Sequence, residues 1–270
     1  MSPEFSSAAE QLETAVRARH ASHQAVKPLM VGVCGSQGSG KTTACAHVAR
    51  AMTASGIRVA VLSIDDLYLS RAAREDLALR VHPLLRTRGV PGTHEPLLGL
   101  RVFDALATHT RVRLPRFDKA RDDREPESGS VAIDAPVEVI LFEGWCVGAK
   151  PQLPHQLDAP VNVLEEQEDA DGRWRRYVND ALSGAYRRLF APIDFLVLLA
   201  APGFEIVARW RIEQEQQLRA SQPGAAGIMS DAAIQRFVQH YERLTRHILN
   251  EMPARADHVL RLDENRRVIS

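Results

Sequence analysis

The chain has 270 residues, 45% hydrophobic and 25% charged, with 34 basic against 34 acidic side chains, which is room for one sizeable α/β domain around a buried core. A formal charge of zero offers no attraction to nucleic acid or to an anionic membrane surface, so any anion has to be held by a local site. Cys34, Cys45 and Cys146 are scattered and read as reduced thiols, and with no apolar leader and no run near the roughly 18 apolar residues of a membrane span the expectation is a cytoplasmic, non-membrane protein.

In chain order, residues 1–7 are unpatterned and read as a tail. Residues 8–25 place Leu12, Ala15, Val16 and Ala18 on one side of a modest amphipathic helix, an accessory element. Residues 1–28 then form an N-terminal helical extension to a domain over residues 29–270. After Pro28, the run Leu29-Met30-Val31-Gly32-Val33-Cys34 suits a strand buried on both faces. A helix is expected over 41–55, ended by Gly56, and then an apolar strand over 58–64 that runs into Asp65 and Asp66. Further strands fall at 111–114, 137–142, 195–200 and 258–262. Two late helices follow, one over 204–219 and one from Ser230 with Ile234, Phe237, Val238, Tyr241, Leu244 and Ile248 on one face. Strands alternating with helices predict an α/β fold with a mostly parallel sheet covered on both faces. The charged stretches 119–130 and 165–172 read as mobile loops, where substrate loops and lids sit.

Gly35, Ser36, Gln37, Gly38, Ser39, Gly40, Lys41 and Thr42 spell Gly, four variable residues, Gly, Lys and Thr between the first strand and its helix. In that context successive backbone N–H groups and a helix N-terminus wrap an anion, and glycines let the main chain approach phosphate oxygens. Lys41 would reach the β- and γ-phosphates, the Thr42 hydroxyl would ligate Mg2+, and Thr43 completes the nucleotide-binding stretch. The motif establishes nucleotide binding and leaves kinase, GTPase, motor and chaperone open. A guanine-reading Asn-Lys-x-Asp element is absent from the sequence, which favours an adenine nucleotide.

Asp65 emerges at the carboxyl end of the second strand, beside the phosphate loop. There it would orient an acceptor hydroxyl and take its proton, while Asp66 reads as a cap on the next segment. The strand over 137–144 ends in Glu143 and Gly144, where an acidic residue holds magnesium.

The segments 35–42, 62–68 and 141–144 resemble the phosphoribulokinase, uridine kinase and pantothenate kinase group of small-molecule kinases. Arg88-Gly89-Val90-Pro91-Gly92-Thr93-His94-Glu95, Leu114-Pro115-Arg116-Phe117-Asp118-Lys119, Phe142-Glu143-Gly144-Trp145-Cys146-Val147-Gly148 and Trp210-Arg211-Ile212-Glu213-Gln214-Glu215 narrow this to a resemblance with the plant and fungal D-glycerate 3-kinases, over about residues 31–262. The resemblance implies a P-loop NTPase fold with lid and substrate-loop insertions, and transfer of phosphate from MgATP to the terminal hydroxyl of D-glycerate. It places the base at Asp65, a metal site at Thr42, Asp65 and Glu143, and substrate loops at 89–95 and 115–119. A three-carbon acid needs a positive fork near Asp65, for which Arg88, His94, Arg116, Lys119 and Arg124 are the candidates. Glu95 either holds a substrate hydroxyl or caps the helix that begins at Pro96. Arg209 and Arg211 stand where this group places its lid helix and would close over the γ-phosphate; their alternative is pairing with Glu213 and Glu215. Arg175 and Arg176 form a second basic cluster beside Trp174 and Tyr177. Two rival functions stand beside glycerate phosphorylation. One is a kinase for a nucleoside or pantothenate-like alcohol, the other a switch or assembly protein with slow ATP hydrolysis.

Overall fold

A computed structural model describes residues 7–126, 132–221 and 231–269. The first element, α1 (Ala8–Ala21), opens on a capping box in which the Ser7 hydroxyl accepts from the Glu10 N–H and the Glu10 carboxylate accepts from the Ser7 N–H. The chain continues through β1 (Leu29–Gly35), α2 (Lys41–Ala54), β2 (Val59–Ser63), a 3-10 turn over Ile64–Leu67, α3 (Arg71–Arg80) and α4 (Pro96–Thr108). Four short strands follow, β3 (Arg111–Arg113), β4 (Phe117–Asp118), β5 (Asp123–Arg124) and β6 (Ala132–Asp134), before β7 (Val139–Gly144). Then come α5 (Val163–Glu168), α6 (Arg173–Ala181), α7 (Arg187–Phe190), β8 (Phe195–Ala200), α8 (Phe204–Ser221), α9 (Asp231–Glu251), β9 (His258–Leu262) and β10 (Val268–Ile269).

The main sheet has the order β10-β9-β8-β1-β7-β2, parallel throughout except for β10. β1 therefore lies between β7 and β8, while the β1-to-β2 connection leaves on one side and β7-to-β8 crosses to the other. That is the topological switch point at which open α/β sheets bind ligands, outside the carboxyl ends of the strands. Register sharpens the placement: Glu143 pairs with Val33 on one side and Ser63 on the other, so the phosphate loop, Glu143 and Asp65 all emerge at one edge.

Both faces of the sheet are covered, which is why its central strands are apolar along almost their whole length, Glu143 at the carboxyl end of β7 being the exception. Leu29, Val31 and Val33 join a cluster with Leu12 and Val16 of α1, Val48 and Met52 of α2, and Val207 and Trp210 of α8. Met30 and Cys34 point the other way, into a second cluster with Phe103 and Leu106 of α4 and Tyr241 and Leu244 of α9, as the two-residue period of a strand requires. α1 thus contributes fully buried Leu12 and Val16 to the same core as the central strand.

Three expectations from the sequence are corrected, the first being the reading of 119–130 as a mobile loop, since its described residues 119–126 include β5, paired antiparallel with β4. The segment 111–114 does not join the main sheet: β3 pairs antiparallel with β6, and β4 with β5, as separate two-stranded pieces. Its exposed–buried–exposed pattern, with Arg111 and Arg113 outward, has only one face to bury. The stretch 165–172 is not a mobile loop but α5 and a tight turn. Glu165 and Asp169 are buried, Glu165 against Arg243 at 2.6 Å and Asp169 against Arg175 at 3.0 Å. In the sequence the run looks solvated because the Arg243 partner lies 78 residues away. Residues 1–6, 127–130 of the other charged stretch, and Ser230 lie outside the described residues. Among the described residues no helix is long and apolar enough to cross a membrane.

Candidate active site

The phosphate loop joins β1 to α2, with Gly38 at φ 75° and Gly40, the residue preceding α2, at φ 85°. These are left-handed angles that favour glycine. At Gly38 space adds to the constraint, because a Cβ there would stand 2.7 Å from the Cβ of Trp210. The hydroxyls of Ser36 and Ser39 are buried with no protein partner, and Lys41 lines a cleft of about 570 Å3 in front of the loop. Unpaired buried donors beside an ammonium are the chemistry of an anion cradle.

On the far side of Lys41, Glu143 is buried. Its Oε1 accepts from the Thr42 hydroxyl at 3.1 Å, and its Oε2 is buried without a partner. A carboxylate oxygen in that state fits a hard cation with oxygen ligands such as Mg2+.

Asp65 faces them across the cleft, half-buried at the start of the 3-10 turn. Its Oδ1 accepts from the Tyr68 hydroxyl at 2.8 Å and its Oδ2 from Lys119 Nζ at 2.6 Å. Burial works to raise its pKa, but the Lys119 ammonium and hydrogen bond, with Lys41 and the Tyr68 hydroxyl, outweigh it and hold the carboxyl at about 2. Asp66 lines the same cleft, but its carboxylate is engaged by the protein itself. Its carboxylate accepts from Arg116 Nη1 at 2.8 Å and the Phe117 N–H at 3.2 Å, which ties the β4–β5 hairpin to the end of β2 rather than capping a helix. Burial leaves its pKa raised despite the Arg116 charge.

Of the proposed positive fork, Arg116 and Lys119 line the cleft. Arg88 and Arg124 instead hold the hairpin. Arg88 pairs with Asp122 and lies 5.6 Å over the Phe117 ring, while Arg124 donates to the Tyr68 carbonyl at 2.7 Å and pairs with Glu95 at 2.8 Å. His94 supplies no positive charge, because burial pushes its pKa down to about 3. Its ring stacks on Tyr68 at 4.5 Å. Tyr186 Oη accepts the N–H groups of Gly92 and His94 and lies 2.5 Å from His94 Nδ1. The Tyr186 proton therefore goes to Nδ1, which assigns the imidazole proton to Nε2, a buried atom without a partner. The Glu95 carboxylate makes no capping bond to α4. It is held by Arg101 and Arg124, which lower its pKa against the effect of its burial.

Arg209 pairs with Glu264 at 3.0 Å and with Glu213 at 3.7 Å, and the Arg211 guanidinium lies 5.7 Å over the Phe237 ring; neither lines the cleft. The Glu215 side chain lies outside the described residues. Arg175 is buried on Asp169 and the Leu157 carbonyl, and Arg176 donates to the Asp171 carbonyl, so this second cluster holds a turn together. Three cleft residues were not foreseen as part of the site: Ser63, Asp66, which the sequence reads as a cap, and Arg266. Arg266, in the β9–β10 turn, donates to the Gly38 carbonyl at 2.7 Å, pairs with Glu213 at 2.8 Å and lies 5.0 Å over Trp210. The only local signal was a polar turn between two apolar runs.

Sheet order, phosphate loop and the acidic residues facing it define the class, a P-loop nucleotide-binding fold. The family model "Methylmalonyl Co-A mutase-associated GTPase MeaB" matches residues 2–68, the part that carries the phosphate loop. Similarity to kinases runs much further. The chain is 32% identical over 230 residues to an uncharacterized kinase of Schizosaccharomyces pombe, covering 80% of this chain and 79% of that one. It is also 32% identical over 226 residues to the chloroplastic D-glycerate 3-kinase of Arabidopsis thaliana, covering 80% of this chain and 46% of the plant protein, so it spans about half that relative's length. The structure of D-glycerate 3-kinase from Cryptococcus neoformans superposes with a TM-score of 0.77 over 97% of both chains at 24% identity. The chain belongs to the kinase family of the Schizosaccharomyces pombe protein, and the plant D-glycerate 3-kinase is similar to this chain at the same level of identity. It is a small-molecule kinase that phosphorylates a hydroxyl acceptor.

Proposed function

We propose that this kinase transfers the γ-phosphate of MgATP to the primary hydroxyl of D-glycerate, giving 3-phosphoglycerate and ADP. The observation that carries this reading is the placement of Asp65. Its carboxylate stands in the same cleft as Lys41 and Glu143, with the cations Arg116 and Lys119 beside it. A hydroxy acid needs a proton acceptor for its hydroxyl and a cation for its carboxylate within one small site, and this cleft offers both. The names of the plant and fungal relatives point to the same substrate.

In this reading the loop amides, Ser36, Ser39 and Lys41 hold the triphosphate, and Arg266, at the cleft, braces the loop through the Gly38 carbonyl. Thr42 and Glu143, with Asp65 near them, would hold Mg2+, which when bound neutralises charge on the transferring phosphoryl group. Asp65, held at about 2, is a carboxylate at neutral pH. So weak a base suits a loose transition state, in which the hydroxyl is oriented first and gives up its proton late. Arg116 and Lys119 bind the acceptor carboxylate. A lid role for Arg209 and Arg211 requires α8 to move, since Arg209 is engaged by Glu264 and Glu213.

The test is ADP release from MgATP across D-glycerate, glycerol, uridine and pantothenate, with the product identified by mass and position of the phosphate. Release dependent on D-glycerate with 3-phosphoglycerate formed is the expected outcome. Preference for uridine or pantothenate would move the chain to a sister specificity, and release at one rate with or without any acceptor would favour the switch-protein reading.

A further inference from the structure

Both oxygens of Asp65 already carry a donor, and the two donors differ in kind. Tyr68 is buried, with its ring stacked on His94 at 4.5 Å and edge-on to Phe117 at 5.1 Å, so its bond to Oδ1 is fixed. Lys119 sits in the β4–β5 turn with its side chain 61% exposed, on a flexible stem, and its ammonium covers Oδ2 at 2.6 Å. Around it the hairpin is pinned. Asp66 holds Arg116 and the Phe117 N–H, Arg124 is bonded to the Tyr68 carbonyl, and Asp122 is gripped by Arg74 and Arg88. Within the turn, the Asp118 carboxylate accepts from the N–H groups of Ala120 and Arg121. The backbone that presents Lys119 is thus rigid, while its cation is held only by a solvent-accessible ion pair, the kind weak enough to be exchanged for another.

Resting on the proposed function, we propose that Lys119 is a latch on Asp65: its ammonium masks Oδ2 until the acceptor's carboxylate takes the ammonium over, which frees Oδ2 for the proton of the acceptor hydroxyl. A carboxylate two carbons from a primary hydroxyl can do both at once. The hydroxyl oxygen then bonds to the γ-phosphorus as the bond from that phosphorus to the ADP oxygen breaks, and the hydroxyl proton passes to Asp65. Water in the same place would need the same proton acceptor to give phosphate and ADP. The masked carboxylate withholds it, so the latch couples hydrolysis suppression to acceptor recognition. The acceptor's negative charge becomes the trigger of catalysis as well as a handle for binding, and glycerol, which has the hydroxyl but no carboxylate, cannot open the latch.

The experiment compares the full-length chain with its Lys119→Met, Lys119→Gln and Lys119→Arg variants, each checked by circular dichroism. ADP release is measured with no acceptor, with D-glycerate and with glycerol. The wild type is expected to be slow without acceptor and to favour D-glycerate strongly over glycerol. Lys119→Met and Lys119→Gln should raise acceptor-free release severalfold and bring kcat/KM for D-glycerate down toward that for glycerol, whereas Lys119→Arg, which keeps a cation beside Asp65, should hold acceptor-free release below that of the two neutral variants. If Lys119→Met and Lys119→Gln lose activity toward D-glycerate while acceptor-free release stays at the wild-type level, Lys119 only binds substrate and the latch is overturned. Failure of the wild type to phosphorylate D-glycerate would refute the substrate reading instead, and a rise in acceptor-free release in Lys119→Met would still support the latch.

Discussion

Asp65 and Asp66 are chemically identical neighbours at the end of β2, and the fold gives them opposite duties. Both line the cleft, but Asp65 accepts from Lys119 and Tyr68, and Asp66 accepts from Arg116 and the Phe117 N–H. Asparagine matches the shape of aspartate but cannot take a proton. Asp65→Asn should therefore keep nucleotide affinity, measured by titration calorimetry, while turnover falls by roughly the 10²–10⁴-fold supplied by a positioned base. Asp66→Asn keeps one acceptor for the Phe117 N–H and loses the charge that holds Arg116, so it should raise KM for the acceptor more than it lowers kcat. A dead Asp66→Asn beside an active Asp65→Asn would reverse the two assignments. Lys41 belongs to no core cluster. Lys41→Ala should leave the circular dichroism spectrum unchanged and cost roughly 10²-fold or more in kcat, the scale of losing one preorganised charge contact in the transition state.

At the scale of elements, the region after β7 is held by charges that water does not reach. Glu165 of α5 is fully buried, and its two oxygens meet Arg243 of α9 at 2.7 and 2.6 Å; the same guanidinium donates to the carbonyls of Gln156 and Ala159. Glu165→Ala strands that buried guanidinium without its counter-charge, and urea denaturation should show a loss of about 3–5 kcal/mol. α1 gives a second test. A detachable extension would tolerate truncation of its apolar face, but Leu12 is fully buried in the cluster with β1 and α2. Leu12→Ala should cost about 2–5 kcal/mol, and a loss below about 0.5 kcal/mol, the scale of a surface change, would show that α1 is dispensable to the domain.

For the whole molecule the pH dependence of stability follows from buried histidines. Burial pushes His94 down to about 3, and burial with the nearby Arg236 charge pushes His240 down to about 4, both from an ordinary value of 6.5. The native state keeps them neutral while the unfolded chain takes up protons below 6.5, so stability is full above that pH and falls as the pH drops toward 4. Each histidine contributes a slope of about 1.4 kcal/mol per pH unit once the unfolded form is protonated. Asp65, held at about 2, adds loss in the same direction only below its ordinary 3.8. Urea midpoints at pH 7.5, 6 and 5 should decline steadily, and His240→Gln should flatten the decline; a flat wild-type profile would mean that these imidazoles are hydrated rather than buried.

The phosphate loop, the five parallel strands, the helices that cover them and the family were legible in the chain itself. Each is written in consecutive residues: a Gly-rich octet, apolar runs with no polar face, and a helical period in residues 234–248. Such signals need no partner elsewhere to be read. Asp65 and Glu143 were legible for the same reason, since a strand end announces where its next residue emerges. What only the tertiary structure decided is pairing. It separated Arg116 and Lys119, which line the cleft, from Arg88 and Arg124, which brace the hairpin, by placing a different carboxylate against each. It turned the charged run 165–172 into a buried network, left His94 neutral, and brought Arg266 to a carbonyl 228 residues away. A charged side chain carries no mark in the sequence of whether water or an opposite charge will meet it. The answer lies in which distant segment the sheet order sets beside it, and for these residues that choice determines their chemistry.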